Sequence, residues 1–355
     1  MAYHIVVLPG DGIGPDVTRA AVQVLEHALK GQSVEIVMSE HLIGGKALDT
    51  YGVPLPDVTL EALHKADAVL LGAVGGPKWD VGPGHLRPEA GLLALRKTLG
   101  VYANMRPVKA FSELLDASPL RREIAQRVDL LIVRELTGGA YFGKRERGSD
   151  AHGMQFAYDT MFYSENEIRR VLITAFDAAR LRRKKLTSVD KANVLDSSRL
   201  WREIVQDVSS HYPDVEVEHQ LVDSCAMNLV THPQSFDVLV TENLFGDILS
   251  DEAAVLTGSI GMLPSASLGQ GIGLYEPIHG SAPDIAGKGI ANPLGAILSV
   301  ALLLRYSLHV DDAATRVEQA VAKAIAHGAR TKDLARGQDD VVTTDQMTER
   351  VLAHY

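Results

Sequence analysis

Short apolar runs that alternate with amphipathic stretches are the feature of this chain that most constrains its fold. Residues 4–8 form an apolar run suited to a buried strand, and residues 34–38 and 68–71 form two more. Pro15 suits the first turn of a helix, and apolar residues then recur at helical spacing, at Val17, Ala20, Ala21, Val24, Leu25 and Ala28. Strands separated by helices are usually joined in parallel, so the sequence predicts an α/β fold with a mostly parallel sheet.

The middle of the chain repeats this pattern, and two long irregular stretches interrupt it. Strands are predicted at 130–134, 186–189, 215–222 and 238–241, with helices at 165–183 and 200–211. The Gly- and Pro-rich stretches 72–91 and 258–292 are too long for ordinary connections, and loops of such length are usually functional. The 355 residues correspond to about two domains at ~150 residues each.

Composition excludes several classes of function. A net charge of −10 argues against unspecific nucleic-acid binding, which needs lysine and arginine. Cys225 is the sole cysteine, so no disulfide forms within the chain, as is usual in a reducing compartment. The apolar run 294–304 is shorter than the ~20 residues of a membrane span, and residues 1–8 do not resemble a signal peptide. We therefore expect a cytoplasmic protein without a nucleic-acid or membrane partner.

A glycine-rich turn, residues 10–14, follows the first strand. Glycines at the start of a helix let backbone N–H groups approach a phosphate. The spacing differs from the dinucleotide fingerprint, which places two residues before its last glycine. The turn is thus no evidence for a Rossmann domain, and a tight turn without any ligand is the alternative.

Three arginines are candidates for binding carboxylates. Arg96 lies on a predicted helix, Arg106 follows Asn-Met, and Arg134 ends a buried strand. Ligands of parallel α/β sheets lie beyond the carboxyl ends of strands, and the arginine fork binds a carboxylate through two hydrogen bonds. Each arginine taken alone is more often solvated or ion-paired, and spacing does not reveal whether they converge.

Asp247 and Asp251 are four residues apart and would share one face of a helix. Like charges at this spacing repel, so a cation between them is expected. With a third carboxylate, for which Asp223 is a candidate, they would suit Mg²⁺ or Mn²⁺. A pair of solvated helix carboxylates is the alternative.

Further candidates follow predicted strands or lie in the second irregular stretch. Lys191 directly follows a strand, where nearby cations and burial would lower its pKa and make it a general base. Tyr141 is a candidate proton donor. The loop from His279 to Asn292 exposes backbone donors, and Asp284 is placed to accept hydrogen bonds from a ribose diol. An exposed loop lysine, a packing tyrosine and a loop without a ligand are the alternatives.

Taken together and in this order, these motifs resemble the isocitrate/isopropylmalate dehydrogenase family of metal-dependent, decarboxylating 2-hydroxyacid dehydrogenases. The resemblance covers essentially the whole chain and rests most firmly on the strings 134–143, 188–195, 243–252 and 275–287. It implies a two-domain isopropylmalate-dehydrogenase-like fold with a mostly parallel central sheet, which is not a Rossmann dinucleotide fold. Residues 144–151 do not match the family closely and are expected to form a surface loop.

The resemblance also implies roles for the candidate residues. Substrate carboxylates would be held by Arg96, Arg106 and Arg134. Mg²⁺ or Mn²⁺ would be bound by Asp247 and Asp251, with Asp223 coming from the neighbouring subunit of a homodimer. Lys191, also from the neighbour, would take the 2-hydroxyl proton, and Tyr141 would return a proton after carbon dioxide leaves.

For the cofactor, the resemblance implies that NAD lies against the stretch 76–89 and the loop 280–292. The residues expected to contact it are Gly76, Glu89, His279, Gly280, Ser281, Ala282, Pro283, Asp284, Ile285 and Asn292. Asp284 and Ile285 favour NAD over NADP, because a carboxylate would repel a 2′-phosphate. The domain carrying these residues is expected to comprise 1–101 plus 257–355. Residues 102–256 would form a second domain with the metal ligands and the dimer interface.

The substrate is predicted from the helix that carries Arg96. Leu92 and Leu93 lie one turn before this arginine and suit an isopropyl group. Isocitrate would need polar partners for a third carboxylate, which Glu89 would repel. The expected reaction is the oxidative decarboxylation of 3-isopropylmalate. Another malate derivative (tartrate, homoisocitrate or isocitrate) is the alternative substrate, and a carboxylate-binding protein without catalysis is the alternative class.

Overall fold

A computed structural model describes residues 2–81, 83–337 and 339–355 of the chain. The strands of the described residues are β1 (Tyr3–Gly10), β2 (Ile36–Glu40), β3 (Ala68–Ala73), β4 (Val101–Lys109), β5 (Asp129–Glu135), β6 (Arg145–Ser149), β7 (Gln155–Asp159), β8 (Lys185–Asp190), β9 (Glu216–Leu221), β10 (Val238–Thr241), β11 (Pro264–Gly269) and β12 (Gly273–Pro277). The helices are α1 (Gly14–Ala28), α2 (Gly44–Tyr51), α3 (Asp57–Leu63), α4 (Pro88–Leu99), α5 (Arg122–Ala125), α6 (Glu165–Arg180), α7 (Asp196–Ser209), α8 (Val222–Thr231), α9 (Asn243–Leu256), α10 (Leu294–Tyr306), α11 (Asp311–Ala326) and α12 (Thr344–His354).

The chain divides into two compact units. The first, unit 1, comprises Met1–Val101, Lys109–Gln126 and Ala254–Tyr355. The second, unit 2, comprises Tyr102–Val108 and Arg127–Ala253. The segment Lys109–Gln126 thus belongs to unit 1, whereas the sequence analysis assigned it to the other domain.

Unit 1 is built on the strand order β2-β1-β3-β12-β11. β1 pairs in parallel with β2 and β3, and β12 pairs in parallel with β3, whereas β11 and β12 are antiparallel. α10 is buried from Leu294 to Leu304, because a helix that is apolar on all sides is stable only when it is covered on all sides. Among the described residues no helix has both the length and the apolar character needed to span a bilayer.

In unit 2, strands β5, β10, β8 and β9 pair in parallel in that order. α6 packs its apolar face on this sheet, with Ile168, Val171, Leu172, Ala175 and Phe176 buried. The prediction of an α/β fold with a mostly parallel sheet is confirmed. The parallel strands all point the same way, so the polar residues after β5, β8 and β10 lie at one edge of this sheet.

Residues 145–159 contain an antiparallel pair, β6 and β7, with Arg145 opposite Asp159 and Arg147 opposite Ala157. A surface loop was expected for 144–151, so the position at the surface agrees but the conformation differs. All of β7 is exposed, including the aromatic rings of Phe156 and Tyr158. No buried face imposes a period of two on β7, so the periodicity of the sequence gave no signal for this pair.

The first turn of α6 is closed by a capping box. The Ser164 hydroxyl accepts from the Glu167 backbone N–H, and the Glu167 carboxylate accepts from the Ser164 backbone N–H at 2.8 Å. Removing the hydroxyl leaves a backbone donor without its partner. We expect Ser164→Ala to lower the free energy of unfolding by about 1 kcal/mol in urea denaturation. The exposed Ser33 supplies the control Ser33→Ala, and an equal effect of the two substitutions would contradict a role for the cap.

Candidate active site

α9 places two carboxylates of unit 2 one helical turn apart, at Asp247 and Asp251. Their side chains are 33% and 58% exposed, respectively. The guanidinium of Arg106 lies against both, with Nη2 3.7 Å from Asp247 Oδ1 and Nη1 3.6 Å from Asp251 Oδ1. A cation was expected near this pair, and within one chain that cation is the side chain of Arg106.

Arg106 is held in place by two neutral side chains. It lies on β4, where its Nε donates to Asn104 Oδ1 at 2.5 Å and its Nη1 donates to Ser250 Oγ at 2.5 Å. Both partners accept without adding charge, so the guanidinium keeps its positive charge for Asp247, Asp251 or a ligand.

Arg134 is the last residue but one of β5, close to the strand end that was expected, and its side chain is buried beside the start of α9. It donates to the side chain and the carbonyl of Asn243, and its Nη1 donates to Asp247 Oδ1. A buried guanidinium requires such partners, because leaving its charge without them would cost several kcal/mol. Arg106 and Arg134 therefore meet at the same carboxylate.

The phenol of Tyr141 reaches this carboxylate from a 3₁₀ turn, Gly139–Tyr141, that follows β5. Its hydroxyl donates to Asp247 Oδ2 at 2.8 Å, and its ring centroid lies 5.8 Å from the Arg134 guanidinium carbon. Burial and then the Asp247 carboxylate raise the pKa of Tyr141 to about 12. The phenol is consequently protonated at neutral pH, which suits a proton donor.

Lys191 and Asp223 form a pair of their own. Lys191 directly follows β8, Asp223 lies in the first turn of α8, and Lys191 Nζ donates to Asp223 Oδ1 at 2.6 Å. This bond lowers the pKa of the Asp223 carboxyl. The sequence analysis expected cations beside Lys191, but within one chain its partner is a carboxylate. Over the described residues, no group of three His, Cys, Asp or Glu side chains could hold a metal ion.

The oxygen ligands on α9 nevertheless suit a divalent cation in part. Asp247 and Asp251 supply two carboxylates on one exposed face, which is the chemistry that Mg²⁺ and Mn²⁺ prefer. A third protein carboxylate would have to come from outside this group.

In unit 1, Arg96 on α4 pairs with Glu276 on β12, with Nη2 donating to Oε1 at 3.0 Å. The Nε atom of Arg96 is buried and has no hydrogen-bond partner in the described part of the chain. Leu92 and Leu93 are half-buried and precede Arg96 by four and three residues on the same helix, so they lie on its face. One donor of Arg96 is thus available to a ligand beside two apolar side chains.

The loop after β12 carries most of the residues expected to contact a cofactor. The Nδ1 atom of His279 lies 2.9 Å from the Gly280 carbonyl, and its Nε2 is buried with no hydrogen-bond partner among the described residues. Burial lowers the pKa of His279, so the ring is neutral and Nε2 is an open acceptor. Asp284 is exposed. This loop thus offers one buried acceptor and one exposed carboxylate.

The other candidates for cofactor binding are spread over this loop and the segment before α4. Ser281 is buried, Ala282 has a φ of +37°, and Gly280, Pro283 and Ile285 complete the segment. Glu89 is exposed in the first turn of α4, with its carboxylate beside Gly75, the neighbour of Gly76. Gly82, within the stretch 76–89, lies outside the described residues.

Asn292 differs from these residues because both ends of its carboxamide are used within the protein. Its Nδ2 donates to Asp333 Oδ2 at 3.0 Å, and its Oδ1 accepts from the Leu294 backbone N–H at 3.0 Å. The side chain therefore anchors the end of the loop to the start of α10.

The glycine-rich turn uses its N–H groups internally. Asp11 N donates to the Ala73 carbonyl and Ile13 N to the Ser281 carbonyl. A Cβ atom at Gly12 would lie 2.0 Å from that Ser281 oxygen, and the φ of Gly12 is +58°. The glycines thus permit contact between two loops, and the alternative of a turn without a phosphate is the one that the geometry favours.

Sequence reasoning missed the side chains that hold the arginines. Asn104, Asn243 and Ser250 are polar residues of ordinary type that accept from Arg106 or Arg134. Asn243 lies in one of the strings that carried the resemblance, but nothing in its type or spacing indicates this contact.

Comparisons with known proteins show which family this chain resembles. The family model described as isocitrate/isopropylmalate dehydrogenase matches residues 4–351. The chain belongs to this family. A 3-isopropylmalate dehydrogenase of Oceanobacillus iheyensis is 58% identical over 354 residues, which are 99% of this chain and 95% of that protein. One of Heyndrickxia coagulans is 56% identical over 99% of this chain and 96% of its own length.

Among solved structures, isocitrate dehydrogenase from Methylococcus capsulatus matches with a TM-score of 0.89 and 38% identity over 99% of both chains. The family resemblance and the fold class predicted from the motifs are thereby confirmed. Members of this family are decarboxylating dehydrogenases that typically depend on NAD and a divalent metal.

The Asp11 carboxylate, which is buried in unit 1, provides a test of the structural role of the glycine turn. It accepts from the backbone N–H groups of Gly45, Lys46 and Gly75 at 2.7, 2.9 and 2.9 Å. We expect Asp11→Ala to lower the free energy of unfolding by about 3 kcal/mol in urea denaturation, because buried donors lose their acceptor.

A matched control is Asp116→Ala, which removes an exposed carboxylate paired with Arg122 and should change the free energy of unfolding by less than about 1 kcal/mol. Full stability of the Asp11→Ala protein would show that the carboxylate does not hold these loops.

Proposed function

We propose that the chain catalyses the oxidative decarboxylation of (2R,3S)-3-isopropylmalate to 2-oxoisocaproate with reduction of NAD, in leucine biosynthesis. The observation that carries the proposal is the meeting of Arg106, Arg134 and Tyr141 at the Asp247 carboxylate. Decarboxylation of a dianionic acid requires cations that bind its carboxylates, carboxylates that hold a metal ion, and a proton donor. The two arginines, the acidic face of α9 and the Tyr141 phenol supply these groups.

The three arginines bind the two substrate carboxylates. Arg106 and Arg134 already contact carboxylates of α9, and Arg96 contacts Glu276 and retains a buried donor. The arginine fork forms paired, charge-assisted hydrogen bonds with carboxylates. Hydrogen bonds of this kind, with a bound divalent cation, allow a protein of net charge −10 to bind a dianion.

The divalent cation, Mg²⁺ or Mn²⁺, is held by Asp247 and Asp251 together with the partner subunit's Asp223. When bound, such a cation supplies Lewis-acid polarisation of the substrate oxygen on C2. As a ligand of this cation, the partner subunit's Asp223 would also form part of the substrate-binding site.

Two side chains move the protons of the reaction. Lys191 of a second copy takes the proton of the 2-hydroxyl group as the C2 hydride passes to NAD. Carbon dioxide then leaves, and the electrons of the broken C–C bond form the enolate. Tyr141, whose phenol is protonated at neutral pH, gives its proton to C3 of the enolate, which becomes the ketone product.

The cofactor is NAD, held by the loop from His279 to Asn292 and by the segment from Gly76 to Glu89. The His279 Nε2 acceptor, the Ser281 segment and the exposed Asp284 carboxylate supply the contacts. Asp284 accepts from the ribose diol and repels a 2′-phosphate, so NAD is preferred to NADP.

The isopropyl group of the substrate is recognised by α4. Leu92 and Leu93 are partly exposed on the face of Arg96, and Glu89 is exposed one turn earlier. An apolar branch is accepted beside these leucines, whereas Glu89 would repel the third carboxylate of isocitrate.

The active form is a homodimer with shared active sites. The Lys191–Asp223 pair is separate from the Asp247 group within one chain, although the reaction needs both. Apolar side chains remain exposed on α8 and α9, with Met227 at 64% and Ile248 at 59%. A second copy would cover them and deliver the pair. The dimer is cytoplasmic and needs neither nucleic acid nor membrane.

The proposed substrate and cofactor are tested directly by an absorbance assay for NADH. The protein with Mg²⁺, NAD and 3-isopropylmalate should produce NADH, with a kcat/KM at least about tenfold above the values for isocitrate, tartrate or homoisocitrate. NADP should give a kcat/KM at least about tenfold lower than NAD. Preference for another malate would move the assignment to a sibling enzyme, and equal use of NADP would contradict the role of Asp284.

Shared sites are tested by combining two variants in one dimer. Lys191→Ala and Asp247→Asn homodimers should each be nearly inactive, because every site lacks one group. A mixed dimer, purified by two different tags after co-expression, regains one complete site and one that lacks both groups. It should show about half of the wild-type activity. A mixed dimer as inactive as its parents would place both residues in a site formed by one chain.

A further inference from the structure

Asn243, the first residue of α9, contacts both the carboxylate-binding and the proton-donating parts of the site in unit 2. We propose that Asn243 is a positioning residue that sets Arg134 and the turn bearing Tyr141 through the two ends of one carboxamide. This inference rests on the proposed function, because it gives Asn243 a task in the same reaction.

The oxygen end of Asn243 holds Arg134. Its Oδ1 accepts from Arg134 Nε at 3.1 Å and from Nη2 at 2.8 Å, and its backbone carbonyl accepts from Nε at 3.0 Å. Both residues are buried, at 1% and 2% exposure. A guanidinium is a rigid plane, so fixing its Nε–Nη2 edge also fixes the direction of Nη1, which contacts Asp247.

The nitrogen end holds the turn before Tyr141. Asn243 Nδ2 donates to the Gly138 carbonyl at 3.1 Å, and the Gly138 N–H donates to Glu135 Oε2 at 2.8 Å. The Gly138 backbone is thus bonded on both sides. The 3₁₀ turn Gly139–Tyr141 starts at the next residue and carries the phenol to Asp247.

A carboxamide satisfies both partners at once, because it carries an acceptor at one end and a donor at the other. Arginine donates and never accepts, and a backbone carbonyl accepts and never donates, so the two contacts also determine which end of the amide is oxygen. The Asn243 backbone is fixed as well, because its N–H donates to the Tyr163 hydroxyl at 2.9 Å. An aspartate at this position would accept from Arg134 but place an oxygen against the Gly138 carbonyl. A leucine would form neither bond.

Two measurements report on the two ends. Exchange at C3 depends on the proton donor without hydride transfer, whereas the KM for 3-isopropylmalate depends on Arg134. We would measure exchange of the C3 hydrogen of 2-oxoisocaproate with deuterium from D₂O, using NMR, the holoenzyme and Mg²⁺. Turnover with 3-isopropylmalate and NAD gives kcat and both KM values. The variants are Asn243→Asp and Asn243→Leu. Asn166 lies exposed on α6 in the same unit and supplies the controls Asn166→Asp and Asn166→Leu.

We expect both Asn243 variants to slow C3 exchange and kcat at least about tenfold, because each loses the bond to Gly138. The KM for 3-isopropylmalate should rise in both, since leucine releases the Arg134 edge and aspartate offsets its charge. The KM for NAD should stay within about twofold of the wild-type value, because the proposed cofactor residues lie in unit 1. The Asn166 controls should match the wild type throughout.

Two results would overturn this role. Either C3 exchange stays at the wild-type rate in the Asp variant, or the KM for NAD rises as much as the KM for the substrate, as for general damage to the fold. The aspartate variant is isosteric, so it keeps the test meaningful if the leucine variant does not fold. An inactive wild-type protein would instead contradict the proposed function, and the two failures are therefore distinguishable.

Discussion

The Asp247 carboxylate is the point on which the arrangement of unit 2 depends. Its Oδ1 faces Arg134 and Arg106, and its Oδ2 accepts from Tyr141. These three side chains come from three segments. Arg134 lies on β5, Arg106 on β4 and Tyr141 in the turn after β5. One negative charge thus draws two cations and a phenol together. Without it, the two guanidinium groups would repel each other across the start of α9.

A second layer of side chains keeps this cluster in register with the sheet. Glu242 follows β10 and is buried, and its carboxylate accepts from the Phe245 backbone N–H at 2.5 Å at the start of α9. Burial raises the pKa of Glu242, and Tyr163 donates to it at 3.1 Å. The same Tyr163 hydroxyl accepts from Asn243 N. The helix that carries Asp247 and Asp251 is therefore fixed at its first turn by groups that do not touch the exposed face.

The sequence predicts the α/β fold and the elements that carry the candidate site residues. It predicts the hydrogen bonds between side chains much less well. The alternation of strands and helices locates β1, β3, β5, β8 and β10, and the spacing of Asp247 and Asp251 predicts their common helix face. β6 and β7 escape prediction because no buried face imposes a period of two. The contacts of Asn243 escape prediction because a hydrogen bond between residues 109 positions apart, such as Asn243 and Arg134, leaves no trace in local spacing.

The charges of the site explain why its parts have to act together. Arg106 and Arg134 carry two positive charges, and Asp247 and Asp251 carry two negative ones, so these four side chains of one chain have no net charge. A neutral group gives little attraction to a dianionic acid. The proposed divalent cation, bound to the two aspartates, would add two positive charges and release the guanidinium groups from their present partners. Substrate affinity would then depend on the cation even where the cation touches no substrate carboxylate, because it changes what Arg106 and Arg134 are free to bind.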